Sequence, residues 1–407
     1  MSIALTPGSV VSDGGAAVGP GRAGPYVASS LTRRADVTKI SAILATSVYG
    51  RSMTWSAERP HDDLPTLPPQ VDLETRAVLK ATIEARDALA RFDARALALP
   101  NPTVLINAIL LLEAQASSEI ENIVTTTDEL FTAAVTDVGA TPTTREALRY
   151  RSALHTGFQQ VGRRQLTANT AAEVCADIRG YDEGFRRGEV FIGDPATRKR
   201  VYTPPSGPAL GRLLDDWSEF LNAPTDLDPL VRMAVAHYQF EAIHPFTDGN
   251  GRTGRIMNVL MLCDAGLLHL PVLYLSRYII ESKDEYYRLL RDVTSDGAWE
   301  PWVRYIVDGV RETAERTTRV VDGIQSVQEA LLDLIRTTVG SANGDLLAVL
   351  MEQPYARVRD VMARCGVSRP TASKWLHGLV DAGALADLKV GREVLYINVA
   401  MMDVLRG

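Results

Sequence analysis

Cysteine is scarce in this chain of 407 residues, and none of it is spaced for a metal site or a disulfide framework. The three cysteines, Cys175, Cys263 and Cys365, are odd in number and far apart, and no CxxC pair occurs. This excludes a zinc ribbon and a small domain held by disulfides, and it predicts a reducing, cytoplasmic location.

Long apolar runs and a signal sequence are also missing. No apolar run reaches the roughly 18 residues that a membrane helix requires, and no basic segment followed by an apolar segment opens the chain. We therefore expect no membrane partner. The net charge of −7 excludes nucleic-acid binding through the charge of the whole chain, so a nucleic-acid surface would have to be local.

What is present is the composition of an ordinary folded protein, with 46% hydrophobic and 23% charged residues, on a length that suits two or three domains. Helical periodicity recurs along most of the chain and predicts a mainly α fold. The predicted segments are a disordered Gly/Ala/Ser-rich extension at 1–52, an N-terminal helical region at 53–144, a helical core at 145–318, a connecting helix at 319–342 and a C-terminal domain at 343–407.

Within these segments the apolar pattern predicts helices with short breaks and a single β-hairpin. The hairpin pairs residues 190–192 with Arg200–Tyr202, because β-prone residues stand there around Gly, Asp and Pro. The predicted helices cover 73–98, the stretch after Pro102, 145–185, 207–222, 228–243, 253–268 and 281–318.

The C-terminal 65 residues predict a winged helix-turn-helix. The predicted elements are helices at 346–351, 358–364 and 370–382, with Ser368 as an N-cap, and strands at 385–388 and 394–397. Eight basic and seven acidic residues are a poor electrostatic footprint for DNA. Yet Arg369 and Lys374 open the recognition helix, and Lys389 and Arg392 lie on the wing. Two uses stay open: duplex-DNA binding, and a scaffold or protein-contact role.

The most informative stretch is His244–Arg255, which reads HPFTDGNGRTGR. Its glycines permit a tight turn, and the helix that follows directs backbone N–H groups and its dipole at the same spot. Arg252 and Arg255 add two cations on one helical face, which makes a site for a polyphosphate. Asp248 can bind Mg²⁺ beside the phosphates, and His244 is the nearby group that accepts a proton at neutral pH.

Other interpretations of this stretch are weaker. Gly249, Gly251 and Gly254 match a dinucleotide fingerprint, but a buried strand does not precede them. No Gly-Lys-Ser/Thr occurs for a Walker A loop. A plain glycine-rich loop between two helices would not need this density of His, Asp, Asn and Arg.

The stretch resembles, position for position, the Fic-family signature HPFxxGNGRxxR, and the likeness extends over residues 53–318 in arrangement. The resemblance implies a Fic-type helical bundle with a β-hairpin flap that moves AMP from ATP onto a Ser, Thr or Tyr hydroxyl of a target protein. It implies His244 as the base and Asp248 as the Mg²⁺ ligand. The implied ATP-binding residues are Gly249, Asn250, Gly251, Arg252, Thr253, Gly254 and Arg255, with Tyr278 and Tyr287 as candidates beside the adenine.

The implied phosphate contacts are divided along this motif. Asn250 and the amides of Gly249 and Gly251 would hold the α-phosphate, and Arg252 and Arg255 the β- and γ-phosphates. Transfer of this kind needs mainly positioning and charge neutralisation. The retained Gly-Asn-Gly favours AMP transfer over the kinase activity of relatives that depart there.

The predicted hairpin resembles the family's flap, and this implies that Tyr202, Thr203 and Pro204 help to hold the target by β-augmentation. The alternative is a surface hairpin without a partner. Likewise Ser117, Glu121 and Asn122 fit the family's inhibitory motif, in which the glutamate occupies Arg255.

The alternative for the inhibitory segment is a capping box, Ser118 to Glu121, that opens a new helix. In relatives the same glutamate supports removal of AMP, so reversal stays open, as does a homodimer. A DNA-binding regulator in which nucleotide transfer is secondary is the second function that the sequence allows.

Overall fold

Helices make up most of the fold, as the periodicity predicts. The structure, a computed structural model, describes residues 55–136, 140–193, 199–341 and 343–406. The extension at 1–52 lies outside the described residues and stays a prediction. In chain order the first elements are α1 (Arg76–Leu97), α2 (Thr103–Ile120), α3 (Thr127–Thr136), α4 (Pro142–Phe158), α5 (Ala168–Arg179), β1 (Ile192–Gly193), β2 (Arg200–Tyr202) and α6 (Pro208–Asn222).

Two helices that are buried on nearly all sides form the centre of the fold. They are α7 (Pro229–Ile243) and α8 (Asn250–Asp264), which pack against each other while α5 and α6 cover them. A helix that is apolar all round must lie inside a protein. The turn between α7 and α8 carries the His244 motif, so the motif is mounted on the two central, buried helices.

Three helix boundaries differ from the sequence prediction. Helix α8 begins at Asn250 rather than at Thr253, because Gly249 adopts a left-handed conformation (φ 88°) as its N-cap. The predicted helix at 145–185 is two helices, α4 and α5, with a break that contains Gly162 at φ 72°.

The third difference concerns 281–342. Two helices, α9 (Leu275–Glu281) and α10 (Lys283–Asp296), precede α11 (Trp299–Val339). Helix α11 runs for 41 residues without interruption through the predicted boundary between core and connecting helix. It packs along α1 and then continues into the C-terminal domain.

One helix in the described part of the chain, α2, is long and apolar enough to cross a membrane by length and composition. However, 72% of it is buried inside this fold. Glu113 at its middle accepts hydrogen bonds from Tyr150 (2.9 Å) and from the backbone N–H of Ser276 (3.0 Å). Helix α2 is therefore a core helix, anchored to α4 and α9.

The C-terminal domain has the predicted helix-turn-helix and wing. Its elements are α12 (Gly344–Glu352), β3 (Tyr355–Arg357), α13 (Val358–Cys365), α14 (Arg369–Asp381), β4 (Leu385–Val390), β5 (Glu393–Asn398) and α15 (Val399–Arg406). The prediction missed β3, which pairs with β5 to make a three-stranded sheet in the order β3-β5-β4, and it missed α15.

This domain rests directly on α2 and α3. Asp128, in the first turn of α3, accepts hydrogen bonds from the Tyr355 hydroxyl (2.8 Å) and from Arg406 Nη2 (2.8 Å). The Asn107 amide of α2 donates to the carbonyl of Glu352 (3.1 Å). The C-terminal domain thus contacts the two helices on either side of residues 121–126.

Candidate active site

His244 ends α7 where the chain turns toward α8. Its backbone lies in the left-handed region (φ 50°), which is uncommon for a residue other than glycine. Its Nδ1 is buried. Burial, together with the Arg186 guanidinium, lowers the pKa of His244 to about 4. The imidazole is therefore neutral at physiological pH, as a proton acceptor must be.

The side chain of Asn250 closes the turn between His244 and α8. Its Oδ1 accepts from the Phe246 N–H (2.8 Å), and its Nδ2 donates to the Phe246 carbonyl (2.9 Å). Both polar atoms of this amide take part in the turn, and its expected contact with the α-phosphate stays a prediction. The first N–H groups of a helix have no intrahelical partner, so the start of α8 still offers donors to an anion.

Arg255 is held by the residues of the expected inhibitory motif. Its Nη2 is 2.9 Å from Glu121 Oε1, its Nε donates to the Ser117 hydroxyl (2.8 Å), and Nη2 also donates to the Ser117 carbonyl (2.9 Å). A side chain at Gly251 would collide with Glu121 Oε1. The Glu121 carboxylate therefore lies both on Arg255 and against the glycine-rich turn.

The capping-box alternative for this segment is wrong. Helix α2 ends at Ile120, and Glu121 is its C-cap rather than part of a new first turn. Asn122 then adopts a left-handed conformation (φ 62°) that reverses the chain. Lys283 fixes the turn by donating to the Ile120 carbonyl (2.6 Å) and to Asn122 Oδ1 (3.4 Å).

The first arginine of the motif, Arg252, is paired with a carboxylate that the sequence pattern did not identify. Arg252 is 1% exposed and forms an ion pair with Glu146 of α4. Asp248 Oδ2 lies 3.5 Å from Arg252 Nη2, and Asp248 Oδ1 accepts from the Gly249 N–H (2.7 Å). Arg252 is thus buried beside the turn with a carboxylate on either side.

Asp248 itself has a side chain that is 69% exposed. No cluster of three or more His, Cys, Asp or Glu side chains suited to a metal occurs among the residues that the structure describes. Mg²⁺ is commonly bound through one or two carboxylates with phosphate oxygens and water completing the shell. An exposed single carboxylate beside a phosphate site fits that mode of binding.

Thr253 and Gly254 belong to the buried side of α8. Thr253 has no exposed surface, and a side chain at Gly254 would meet Glu241, Phe240 and His237 of α7. These two residues let α7 and α8 approach closely, and their expected place among the ATP-binding residues stays a prediction. Burial raises the pKa of the neighbouring Glu241 to about 7.

Of the two candidate adenine tyrosines, the structure brings one to the site. Tyr287 is 43% exposed and packs edge-on against Tyr286, and Glu121 and Arg255 are among the charges that act on it. Tyr278 instead packs against Tyr305 with ring centroids 5.1 Å apart. The charges around Tyr278 belong to residues 285, 308, 311 and 312, away from the motif.

The hairpin forms as predicted, with Ile192 opposite Tyr202 and Gly193 opposite Arg200. The three residues expected to dock the target, Tyr202, Thr203 and Pro204, contact the rest of the protein. Thr203 and Pro204 are buried, and the Tyr202 hydroxyl donates to the Ala242 carbonyl (2.9 Å). Tyr202 and Thr203 join the hairpin to the rest of the protein, and the expected contact of these three residues with a target stays a prediction.

A stretch of the chain's own N-terminal part, residues 57–62, covers this end of the hairpin. The Thr203 carbonyl accepts from the His61 N–H (3.0 Å), and the Ser206 N–H donates to Asp62 Oδ1 (2.8 Å). Phe191, directly before β1, has a side chain that is 57% exposed and carries the Arg200 guanidinium over its ring.

Sequence reasoning missed Arg186, which is buried between the hairpin and His244. It stands in a polar stretch, YDEGFRRGE, where nothing distinguishes it from its neighbour Arg187. No sequence signal identifies it, because its hydrogen bonds run to main-chain carbonyls up to 58 residues away.

Comparisons with known proteins agree with this geometry. The chain matches three family profiles: Fic/DOC family N-terminal over residues 79–159, Fic/DOC family over 164–262, and the C-terminal domain of SoFic-like protein adenylyltransferases over 335–401. The second profile contains the whole His244–Arg255 motif.

Among curated relatives, the protein adenylyltransferases Fic of Drosophila willistoni and Drosophila melanogaster are each 32% identical over 133 residues. These matches cover 32% of this chain and 24% of each relative, so the chain spans about a quarter of the relatives' length. The crystal structure of a Fic family protein from Desulfovibrio desulfuricans superposes with a TM-score of 0.51 at 22% identity, over 79% of this chain and 96% of that one. That likeness concerns the fold.

Proposed function

Because the chain belongs to the Fic/DOC family, we propose that it transfers AMP from ATP to a hydroxyl side chain of a target protein. One observation carries the proposal: a neutral, half-buried His244 ends one central helix, and the next helix begins six residues later with Arg252 and Arg255 in its first turns. A base and a polyphosphate site are therefore adjacent on two buried helices.

In the proposed reaction His244 accepts the proton of the target hydroxyl while the hydroxyl oxygen bonds to the α-phosphorus of ATP. The bond from the α-phosphorus to the oxygen that bridges to the β-phosphorus breaks, and pyrophosphate leaves with the electron pair. The N–H groups at the start of α8 bind the charge that develops on the α-phosphate. Mg²⁺ held by Asp248 and phosphate oxygens would neutralise charge on the pyrophosphate.

The contacts of Glu121 support an autoinhibited resting state. Glu121 occupies the guanidinium of Arg255 that the γ-phosphate needs, and it lies against Gly251 in the turn that the α-phosphate would approach. ATP that enters beside this carboxylate would have its α-phosphate turned away from in-line attack. Removing the Glu121 carboxylate would free both the Arg255 guanidinium and the space beside Gly251.

Labelling with ATP tests the proposal. The full chain and its Glu121→Gly variant are incubated with a cell extract and Mg²⁺, using ATP labelled on the α- or the γ-phosphate, and labelled peptides are identified by mass spectrometry. Label from the α-position should appear as AMP on Ser, Thr or Tyr, more strongly for Glu121→Gly, and disappear with His244→Ala. Transfer of the γ-label, or labelling by His244→Ala at the parent rate, would refute AMP transfer by this site.

A second candidate function is binding of duplex DNA by the C-terminal domain. Arg369 and Lys374 on α14, and Lys389 and Arg392 on the wing, are exposed and form no ion pair within the described part of the chain. A recognition helix and a wing with free cations suit the major groove and its phosphates.

The full chain should then retain a labelled duplex at low salt, and the double variant Arg369→Ala, Lys374→Ala should lose this binding. The control is Arg336→Ala, which removes an exposed cation on α11, outside the recognition helix and the wing. Equal binding by both variants would exclude Arg369 and Lys374 as the DNA contacts, and no binding by the parent would rule DNA out and leave a scaffold role.

A further inference from the structure

We propose that Arg186 is a positioning residue, which holds His244 and the base of the hairpin in a single arrangement for transfer. The inference rests on the proposed role of His244 as the base, and it adds a residue to that site.

The guanidinium of Arg186 binds main-chain carbonyls from three stretches of the chain, at the end of α7, after the hairpin, and in its own loop. The acceptors are His244 (2.8 Å from Nε), Gly188 (3.0 Å from Nη1), Ile243 (3.2 Å from Nη2) and Pro205 (from Nη2). The side chain thus ties the turn after α7 to the end of the hairpin.

The main chain of Arg186 adds a further bond, because its N–H donates to the Pro245 carbonyl (2.9 Å). Three consecutive carbonyls, at Ile243, His244 and Pro245, are therefore all bound by one residue. His244 at their centre is in the left-handed conformation, which a non-glycine residue keeps only where its surroundings fix it. Any movement of Arg186 would move the imidazole.

The environment of Arg186 is unusual for a cation. The residue is 5% exposed, and no carboxylate forms an ion pair with it among the residues that the structure describes. Burial lowers its pKa, which reflects the cost of keeping the charge away from water. The planar fork of five donors can serve several carbonyls at once, whereas the ammonium of lysine cannot reproduce that geometry.

The charge of Arg186 also acts on the base. Burial and Arg186 lower the pKa of His244, while the Glu121 and Asp248 carboxylates act in the opposite direction. Removing the charge at position 186 should therefore raise the pKa of His244, and a lysine there should leave it low. Charge and geometry can be separated by comparing the two substitutions.

Kinetics of the full chain in the Glu121→Gly background provide the first test. Arg186→Lys and Arg186→Met should each lower kcat for AMP transfer by about tenfold to a hundredfold, the loss expected from misplacing a catalytic group by about 1 Å. Both should raise the KM for the target, since the hairpin loses its Pro205 anchor, and leave ATP affinity unchanged. Arg187→Met, at the exposed neighbouring arginine, is the control and should match the parent.

Titration of His244 by NMR, without ATP or Mg²⁺, provides a second test that needs no activity. Its resonance is identified by its loss in His244→Ala. Arg186→Met should raise the pKa of His244, and Arg186→Lys should not. A merely structural role would lower the melting temperature and leave this titration in place.

Parent-like kcat and target KM in both variants, or an unchanged titration in Arg186→Met, would overturn the inference. If Arg186→Met does not fold, a lower kcat in Arg186→Lys at an unchanged melting temperature decides the question. If the Glu121→Gly parent itself transfers no AMP, the proposed function fails, and the titration still decides the role of Arg186.

Discussion

Glu119 and Glu121 stand two positions apart, yet they have different surroundings. Glu121 Oε1 lies 2.9 Å from Arg255 Nη2, whereas Glu119 is exposed and forms no ion pair within the described residues. Residues two apart on a helix point about 200° away from each other. Only one of the two carboxylates can therefore reach Arg255, and the structure places Glu121 there.

We therefore expect Glu121→Gly to raise the rate of AMP transfer, including transfer to the chain itself, by about tenfold or more, within the usual range of coupling between sites. Glu119→Gly, the matched control, should leave the rate unchanged. Arg255→Glu also breaks the pair, but it should be inactive because the nucleotide needs that cation. Rates with α-labelled ATP measure all three, and activation by Glu119→Gly alone would contradict the assignment.

His244 in the motif and Glu241 just before it should make the free energy of unfolding depend on pH in opposite directions. His244 has a pKa of about 4 in the folded protein and about 6.5 unfolded, so the unfolded chain binds more protons between these values. Its contribution to stability is present above this window and is lost as pH falls through it. Glu241, with a pKa of about 7 because of burial, contributes stability that is lost as pH rises toward 7.

Urea unfolding from pH 4 to 7 measures this difference. The free energy of unfolding of the parent minus that of His244→Gln should rise with pH up to about 6.5. The parent minus Glu241→Gln should fall over the same range. Slopes of the same sign for the two variants would mean that the pKa of His244 or of Glu241 is shifted in the opposite direction.

At the scale of elements, residues 57–62 act as a brace for the hairpin. Thr203 binds this stretch twice, through its carbonyl to the His61 N–H and through its hydroxyl to the Ala57 carbonyl. Asp62 accepts from the Ser206 N–H, and Arg200 Nη1 donates to the Glu58 carbonyl (3.3 Å). The segment before α1 therefore supports the site from a distance of about 140 positions along the chain.

Two truncations should separate the brace from the segment before it. Deletion of residues 1–52 should leave AMP transfer and the melting temperature unchanged, because the Gly/Ala/Ser-rich sequence of that stretch predicts disorder. Deletion of 1–63 should raise the KM for the target and lower the melting temperature, since Thr203 and Ser206 lose their partners. Loss of activity or solubility on deleting 1–52 alone would show that those residues also belong to the fold.

The same elements show what the sequence could and could not predict. The His244–Arg255 turn was predictable because its chemistry is local to twelve positions and is built between two strongly periodic helices. Glu146 on Arg252, Arg186 on His244 and Ala57 on Thr203 were not, because each contact joins positions that only the packed fold brings together. The prediction divided α11 at residue 318, although the second half of this helix is periodic in the same way as its first and the two halves form one helix.

At the scale of the whole molecule, α11 joins the helical core that carries the His244 motif to the C-terminal domain. Arg95 of α1 lies 3.7 Å from Asp322, and a side chain at Gly323 would touch Val404 of α15. Neighbouring residues of one helix thus contact both parts of the protein. Ile324, with no exposed surface, lies at this junction.

The two parts should therefore unfold together. Thermal denaturation followed by far-UV circular dichroism and by the fluorescence of Trp375, with the other four tryptophans replaced by phenylalanine, should give one midpoint. Ile324→Ala should lower the free energy of unfolding by about 2–5 kcal/mol and shift both signals equally. Two separated midpoints would show that the junction does not couple the core to the C-terminal domain.

Because α11 is uninterrupted, its number of residues sets the orientation of the C-terminal domain relative to the helical core. At 41 residues, α11 is about 60 Å long, and each residue added to it turns everything beyond by about 100°. The hydrogen bonds of Asp128 with Tyr355 and Arg406 form at one phase only. One inserted residue would swing the recognition helix to another side of the molecule, whereas seven return it to within about 20° of its starting direction. Insertions or deletions in this helix should therefore preserve the orientation of the C-terminal domain only when they amount to whole helical turns.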